Sequence, residues 1–182
     1  MSERVSVLME FVDILSVDDE LKDKVRRWRN KKEVNRFMVT QHHITRDEHF
    51  KWIKSLGERD DQKSWLVFVE DIPIGSISLR DMNYEHQSCE LGIYIGEDAY
   101  RGHGFGKQIV YKTLKYVFGV LDFNVLIAKV FADNMVALNF YRKLGFKESG
   151  EPVVNNGREL ITMRFFRSEG VTKGKEFANA VS

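Results

Sequence analysis

The spacing of apolar residues changes twice along the chain. Val5 to Leu15 is rich in Val, Ile and Phe and predicts a first strand. From Val17 to Asn30, Leu21, Val25 and Trp28 recur at i, i+4 and i+7, which marks one face of a helix. Thr45-Arg46-Asp47-Glu48 reads as a capping box, in which the Thr and Glu side chains satisfy N–H groups left open at a helix start. A helix is therefore predicted over Arg46–Leu56, with Phe50, Ile53 and Leu56 inward. The period then shortens to two. Ser64–Glu70, Ile74–Leu79 and Ser88–Ile95 read as strands, with a turn at Asp71-Ile72-Pro73. In the third strand Leu91, Ile93 and Ile95 share one face, while Glu90, Gly92 and Tyr94 share the other. Three such strands in succession predict an antiparallel meander. Beyond them strand and helix alternate. Gly102, Gly104 and Gly106 open a helix to about Phe118, Val125–Val130 is a strand, and Asp133–Leu144 is a helix ended by Gly145. Phe146–Gly150 and Leu160–Phe166 complete the strands, joined by a loop containing Asn155-Asn156-Gly157. Residues 1–166 read as a single domain, and the polar stretch 167–182 as a flexible tail.

The 182 residues suit one domain able to bury its own core. With 28 Lys and Arg against 27 Asp and Glu, the net charge of +1 argues against a dedicated nucleic-acid binder. The lone Cys89 excludes an internal disulfide framework and a multi-cysteine zinc site. No apolar run approaches the roughly 18 residues of a membrane span, and Glu10 and Asp13 interrupt the first apolar stretch. A cytoplasmic protein acting on a small molecule, without nucleic-acid or membrane partners and either monomeric or homodimeric, is the expectation.

Tyr100-Arg101-Gly102-His103-Gly104-Phe105-Gly106-Lys107 carries the most chemistry. Glycines admit positive φ and close approach of a ligand, and the helix that follows presents unpaired N–H groups and a positive dipole end. Together these make a phosphate site, with Arg101 and Lys107 adding charge. It is not a P-loop, because Gln108 follows Gly106-Lys107 and Arg101 stands where the first glycine belongs. It is not the dinucleotide fingerprint either, because Lys107 occupies the third glycine position. Downstream, Asn134 to Phe146 reads N-x-x-A-x-x-F-Y-x-x-L-G-F. Ala137, Phe140 and Leu144 have core spacing, which leaves Asn134 and Tyr141, two turns apart on one side, without a packing reason.

The two segments together resemble the GNAT superfamily of N-acetyltransferases. Arg101-Gly102-His103-Gly104-Phe105-Gly106 is similar to its acetyl-CoA signature after a strand, and Asn134–Phe146 to its later helix segment. The likeness spans roughly Ser64 to Phe166. It implies an α/β (α+β) GNAT fold: a mixed, mostly antiparallel sheet of about seven strands, splayed in the middle and flanked by about four helices. It implies acetyl-CoA as co-substrate, no metal, and direct acetyl transfer to an amine. In that likeness Ile93 and Ile95 offer backbone groups to the pantetheine arm. The N–H groups of Arg101, Gly102, His103, Gly104, Phe105, Gly106 and Lys107 hold the pyrophosphate, Asn134 contacts the arm, and Tyr141 protonates the leaving thiolate. Glu90, beside the acetyl group, is a candidate base acting through water; the alternative is a solvent-facing strand carboxylate. Cys89 is either a buried, inert thiol or, less in keeping with its lack of a His/Asp partner, a nucleophile.

Trp28-Arg29-Asn30, with Ile44-Thr45 followed by His49 and Trp52-Ile53, resembles one branch of the superfamily. That branch comprises the UDP-amino-sugar N-acetyltransferases of pseudaminic acid biosynthesis, which act on a 4-amino group. The likeness implies that Arg29 and His49 help hold the nucleotide, and Arg80 is placed to add a third contact. The plainer readings are a helix-end arginine and an exposed first-turn histidine. Trp28, Trp52 and Trp65 read as core or pocket wall. Ribosomal-protein N-termini or polyamines as substrates, and a non-catalytic CoA-binding domain, are the other functions weighed.

Overall fold

The structure, a computed structural model, describes residues 8–168. Strand β1 (Met9–Asp13) is shorter than the apolar stretch that predicted it, whose residues 5–7 lie outside the described residues. Helix α1 (Asp19–Asn30) starts at Asp18, whose side chain accepts the Leu21 N–H at 2.8 Å, and buries Val25 and Trp28. A one-turn helix α2 (Lys32–Asn35), which the pattern does not announce, follows directly. Helix α3 (Arg46–Leu56) carries the predicted capping box between Thr45 and Glu48. Its buried face is His49, Ile53 and Leu56 rather than Phe50. Phe50 is only half-buried and lies under the Arg46 guanidinium at 4.6 Å, so that His49, not Phe50, begins the i, i+4, i+7 stripe.

Strands β2 (Lys63–Val69), β3 (Ile72–Asn83) and β4 (Ser88–Ile95) form the expected antiparallel meander with β1. The turn between β2 and β3 sits at Glu70-Asp71, both with positive φ, one residue before the place predicted. Pro73, the second residue of β3, lies beside a register shift, where a residue without an N–H is tolerated. A short 3₁₀ turn (Asp98–Tyr100) leads into α4 (Phe105–Gly119), β5 (Val125–Phe131) and α5 (Met135–Leu144), which ends at left-handed Gly145. Strands β6 (Lys147–Glu148), β7 (Val153–Asn155) and β8 (Arg158–Phe166) complete one sheet, in the order β1-β2-β3-β4-β5-β8-β6 with β7 on β8. Among the described residues, eight strands and five α-helices thus stand where about seven and about four were expected. The difference is β7, a three-residue partner made by the Asn156-Gly157 hairpin, and the single turn α2.

Core packing fixes α1 against the end of β4. A Cβ on Gly96 would lie 2.2 Å from the Trp28 ring, so only glycine lets the helix come this close. The Trp28 indole N–H donates to Glu97 at 3.1 Å, and Lys31 donates to the Gly96 carbonyl at 2.7 Å. Gly96→Ala is expected to lower Tm by about 5 °C or more through overpacking, as read by thermal circular dichroism. None of the helices among the described residues is long and apolar enough to cross a membrane. Arg167, the first residue of the predicted tail, bonds the Asn124 carbonyl at 2.9 Å and pairs with Asp122. Residues 169–182 lie outside the described residues.

Candidate active site

The sheet is antiparallel except where β4 meets β5. That parallel ladder runs only from Ser88↔Val125 to Leu91↔Ala128, after which the two strands part. Backbone direction across the gap follows from alternation. The Gly96 N–H turns toward β3, where it bonds the Ile74 carbonyl, so the Ile95 carbonyl turns the other way, where Arg101 Nε meets it at 2.9 Å. By the same alternation the N–H and C=O of Ile93, and the N–H of Ile95, point into the gap. Open edge groups of this kind accept an extended amide-bearing chain as a strand would be accepted.

Below the gap lies the glycine loop. Gly102 and Gly104 have φ of +80° and +84°, and Gly104 caps α4 without any side-chain bond. The Phe105 and Gly106 N–H groups at the head of α4 are left open for a diphosphate, whereas the Arg101 and Lys107 N–H groups expected to join them donate to the Asp98 and Gly104 carbonyls, each at 3.1 Å. Arg101 is tied back by Ile95 and by Asp98 at 3.0 Å, while its Nη2 is buried without a partner. His103 and Lys107 are exposed, and Phe105 packs on Tyr100. Gly106 faces Phe140 of α5, where an added Cβ would sit 3.5 Å away. Phe140, half-buried against the core, is thus also a wall of the loop; the fully buried residues of α5 are Leu138, Tyr141 and Leu144. The backbone edge, the orphaned Arg101 nitrogen and the open loop together fit coenzyme A.

A cavity of about 470 Å³ opens between α1, α3 and the face of the sheet that carries Ser76, Ser78 and Arg80. Of the residues singled out in the sequence, Arg29, His49, Arg80, Ile93, Asn134 and Tyr141 line it together; Ile95, Glu90 and the glycine loop do not. Tyr141 is 6% exposed, and burial pushes its phenol well above the ordinary tyrosine range, against the opposing charge of Arg80. Asn134 has a structural duty the motif hid: its Oδ1 caps α5 by accepting the Ala137 N–H at 3.2 Å. His49 is 4% exposed, which overturns its reading as an exposed first-turn residue. Its Nε2 lies 2.9 Å from the Lys22 carbonyl, which only accepts, so the proton sits on Nε2; burial lowers its pKa and keeps the ring neutral.

Arg29 is held by the Thr40 carbonyl, with its Nη1 buried and unpartnered. Burial first, and the neighbouring Arg80 charge after it, lower its pKa from the usual arginine value. Arg80 likewise has a buried, unpartnered Nε. Glu90 is not solvent-facing: it is 6% exposed, and it joins Arg80 and Lys129. Cys89 is 1% exposed, and burial pushes its thiol up to about 12, so it stays protonated and inert.

Several cavity residues escaped the motifs. Tyr94, with a phenol pushed up to about 12 by burial, and Lys129 come from β4 and β5. A roof from Phe37 to Ile44 covers one side. Asn30 holds it by exchanging two 2.9 Å bonds with the Ile44 backbone. Arg158 holds the other end by donating to the Arg36 carbonyl at 2.8 Å while lying 3.8 Å from the Phe131 ring. The Trp28-Arg29-Asn30 sequence was the available signal for Asn30; nothing local marks Arg158.

A parallel-strand fork over a glycine-headed helix, with a cavity beside it, defines an acetyl-CoA-dependent N-acetyltransferase. The chain belongs to the GNAT acetyltransferases: residues 15–147 match the acetyltransferase (GNAT) domain. Acetyltransferase PseH from Campylobacter jejuni (serotype O:23/36, strain 81-176) is 34% identical over 139 residues, 76% of this chain and 83% of its own. Two crystal structures share the fold. One is C. jejuni N-acetyltransferase PseH in complex with acetyl coenzyme A, with a TM-score of 0.69 at 23% identity over 88% of this chain and 99% of its own. The other is spermidine N-acetyltransferase from Vibrio cholerae in complex with CoA and spermine, with a TM-score of 0.80 at 20% identity over 91% of this chain and 98% of its own.

Proposed function

We propose that the chain acetylates the primary amine of an anionic small molecule, specifically the 4-amino group of a UDP-linked amino sugar of the pseudaminic acid type. The observation that carries this reading is the pair of guanidinium groups on the cavity wall, Arg29 and Arg80, each with a buried N–H that has no acceptor. An unpaired buried donor on a cation costs stability, and a phosphate oxygen supplies the missing partner. Resemblance of the Trp28-Arg29-Asn30 and His49 context to the amino-sugar branch supports it further, as does the identity with PseH.

Acetyl-CoA supplies the acyl group: the amine nitrogen bonds to the carbonyl carbon and the C–S bond breaks. The Ile93 N–H is directed into the gap, where it polarises the carbonyl. The Tyr141 O–H, kept protonated by burial, donates to the departing sulfur, and the proton released by the acylated nitrogen restores the phenol. Asn134 and the open α4 N-terminus orient the pantetheine arm and the diphosphate. Arg29, Arg80 and Lys129 make an ammonium unfavourable nearby, so the amine is favoured in its neutral, nucleophilic form.

The likeness to a spermidine acetyltransferase raises the polyamine alternative. A polycation would meet those same three cations; among the described residues Glu48 is the one carboxylate on the wall, and it is already engaged by Thr45 and by His42 at 3.4 Å. The deciding experiment is free-thiol release from acetyl-CoA with a UDP-4-amino sugar, spermine and an N-terminal peptide in parallel. Turnover confined to the nucleotide sugar is expected, and turnover confined to spermine or the peptide refutes the reading. Arg29→Lys keeps the charge but loses the planar fork. It is expected to raise KM for the nucleotide sugar about 10-fold with kcat little changed, as read by steady-state kinetics.

A further inference from the structure

Glu90 occupies the point where the sheet divides. It stands opposite Arg80 in β3 and opposite Ile127 in β5, one residue before the last β4–β5 pair. Lys129 is the first residue of β5 beyond that ladder, and it returns to the same face as Ile127. The Glu90 side chain is 7% exposed, and each of its oxygens is occupied: Oε1 accepts from Arg80 Nη2 at 2.7 Å, and Oε2 pairs with Lys129 Nζ at 2.7 Å. Both cations line the cavity, while Glu90 does not.

We infer that Glu90 is a positioning residue, a carboxylate clasp at the fork that holds Arg80 and Lys129 against the substrate's anionic group, and not the base that deprotonates the amine. The inference rests on the anionic-substrate reading above. A general base needs a lone pair directed at the nucleophile. Glu90 has a charged donor on each oxygen and no surface on the cavity. What it does have is a bond to each strand flanking its own, one on either side of the opening. Without it, two cations face each other across β4, and neither is held in place. The side chains of Arg and Lys are long and rotamer-rich, so the ordering that Glu90 provides in advance is ordering the substrate need not impose.

The test compares wild type, Glu90→Gln, Lys129→Met and the double variant, each checked for an unchanged circular dichroism spectrum. Two quantities are read: UDP affinity by calorimetric titration, and kcat in the thiol-release assay with whichever amine the wild type accepts. Glu90→Gln is expected to weaken UDP binding about 10-fold while kcat stays within about 3-fold of wild type. The double variant is expected to bind UDP no more weakly than the worse single variant, because both changes undo one clasp. A kcat loss of about 100-fold or more in Glu90→Gln would make it the base and overturn the inference. Unchanged UDP affinity in Glu90→Gln overturns it equally, as do losses that add in the double variant. Failure of wild type to bind UDP at all instead refutes the anionic-substrate reading, so the two failures are told apart in different samples.

Discussion

Tyr141→Phe is expected to lower kcat about 100-fold while leaving the Kd for acetyl-CoA within about 3-fold of wild type. The substitution removes one oxygen and nothing else from a well-packed place. The ring lies 5.2 Å from Phe140 and 5.0 Å from Phe146 between centroids, contacts a phenylalanine keeps. Tyr141 lines the cavity, and burial holds its phenol protonated. Burial that makes Tyr141 a reluctant acid in the resting enzyme also makes a developing thiolate a stronger base in the same dry site, so the proton moves as the C–S bond breaks. Steady-state kinetics paired with a titration of acetyl-CoA separates the two effects. A parallel loss of turnover and affinity would assign Tyr141 to binding and remove it as the proton donor.

Gly104→Val is expected to abolish measurable CoA binding, a loss of at least about 100-fold in Kd by calorimetry. Two causes act together. At φ +84° a β-branched residue is strained by about 1–3 kcal/mol or more, so the loop that turns the α4 N–H groups outward shifts. No protein atom lies within 4 Å of an added Cβ, so the new side chain projects into the open space in front of those N–H groups. Gly104→Ala is the milder version and is expected to weaken binding by a smaller factor. Valine with undiminished CoA affinity would mean that the diphosphate is held elsewhere.

What could be read from the chain before folding was whatever depends on near neighbours. The Thr45–Glu48 capping box, the left-handed cap at Gly145, the bounds of β4 and the glycine turn ahead of α4 all rest on spacings of a few residues, and all four are present. The parting of β4 from β5 followed from family resemblance and is visible where the ladder stops at Leu91↔Ala128. What failed depended on long-range register. For Glu90 neither the candidate base nor the solvent-facing alternative foresaw its two cations, because these stand ten residues before it and thirty-nine after it, on strands whose alignment no local pattern states. The exposed alternative for His49 failed because its burial is created by α1, whose Lys22 carbonyl accepts the Nε2–H. Asn134 looked purely functional because a cap is recognisable only once the helix start is fixed to the residue. Arg158, which anchors the cavity roof from the far end of the sheet, has no signature of any kind in the sequence.

Acetyl transfer in this chain needs two placements: a thioester arm lying between the parted strands, and an anion on the far wall that brings an amine to it. A crystal structure of the chain with CoA and UDP bound tests both at once. The expected result is pantetheine amides bonded to the Ile93 and Ile95 backbone, the CoA diphosphate on the N–H groups of residues 102–106, and the UDP phosphates on Arg29 and Arg80. Coenzyme A seated away from the β4–β5 fork, or UDP phosphates that leave both arginines unpaired, would contradict it.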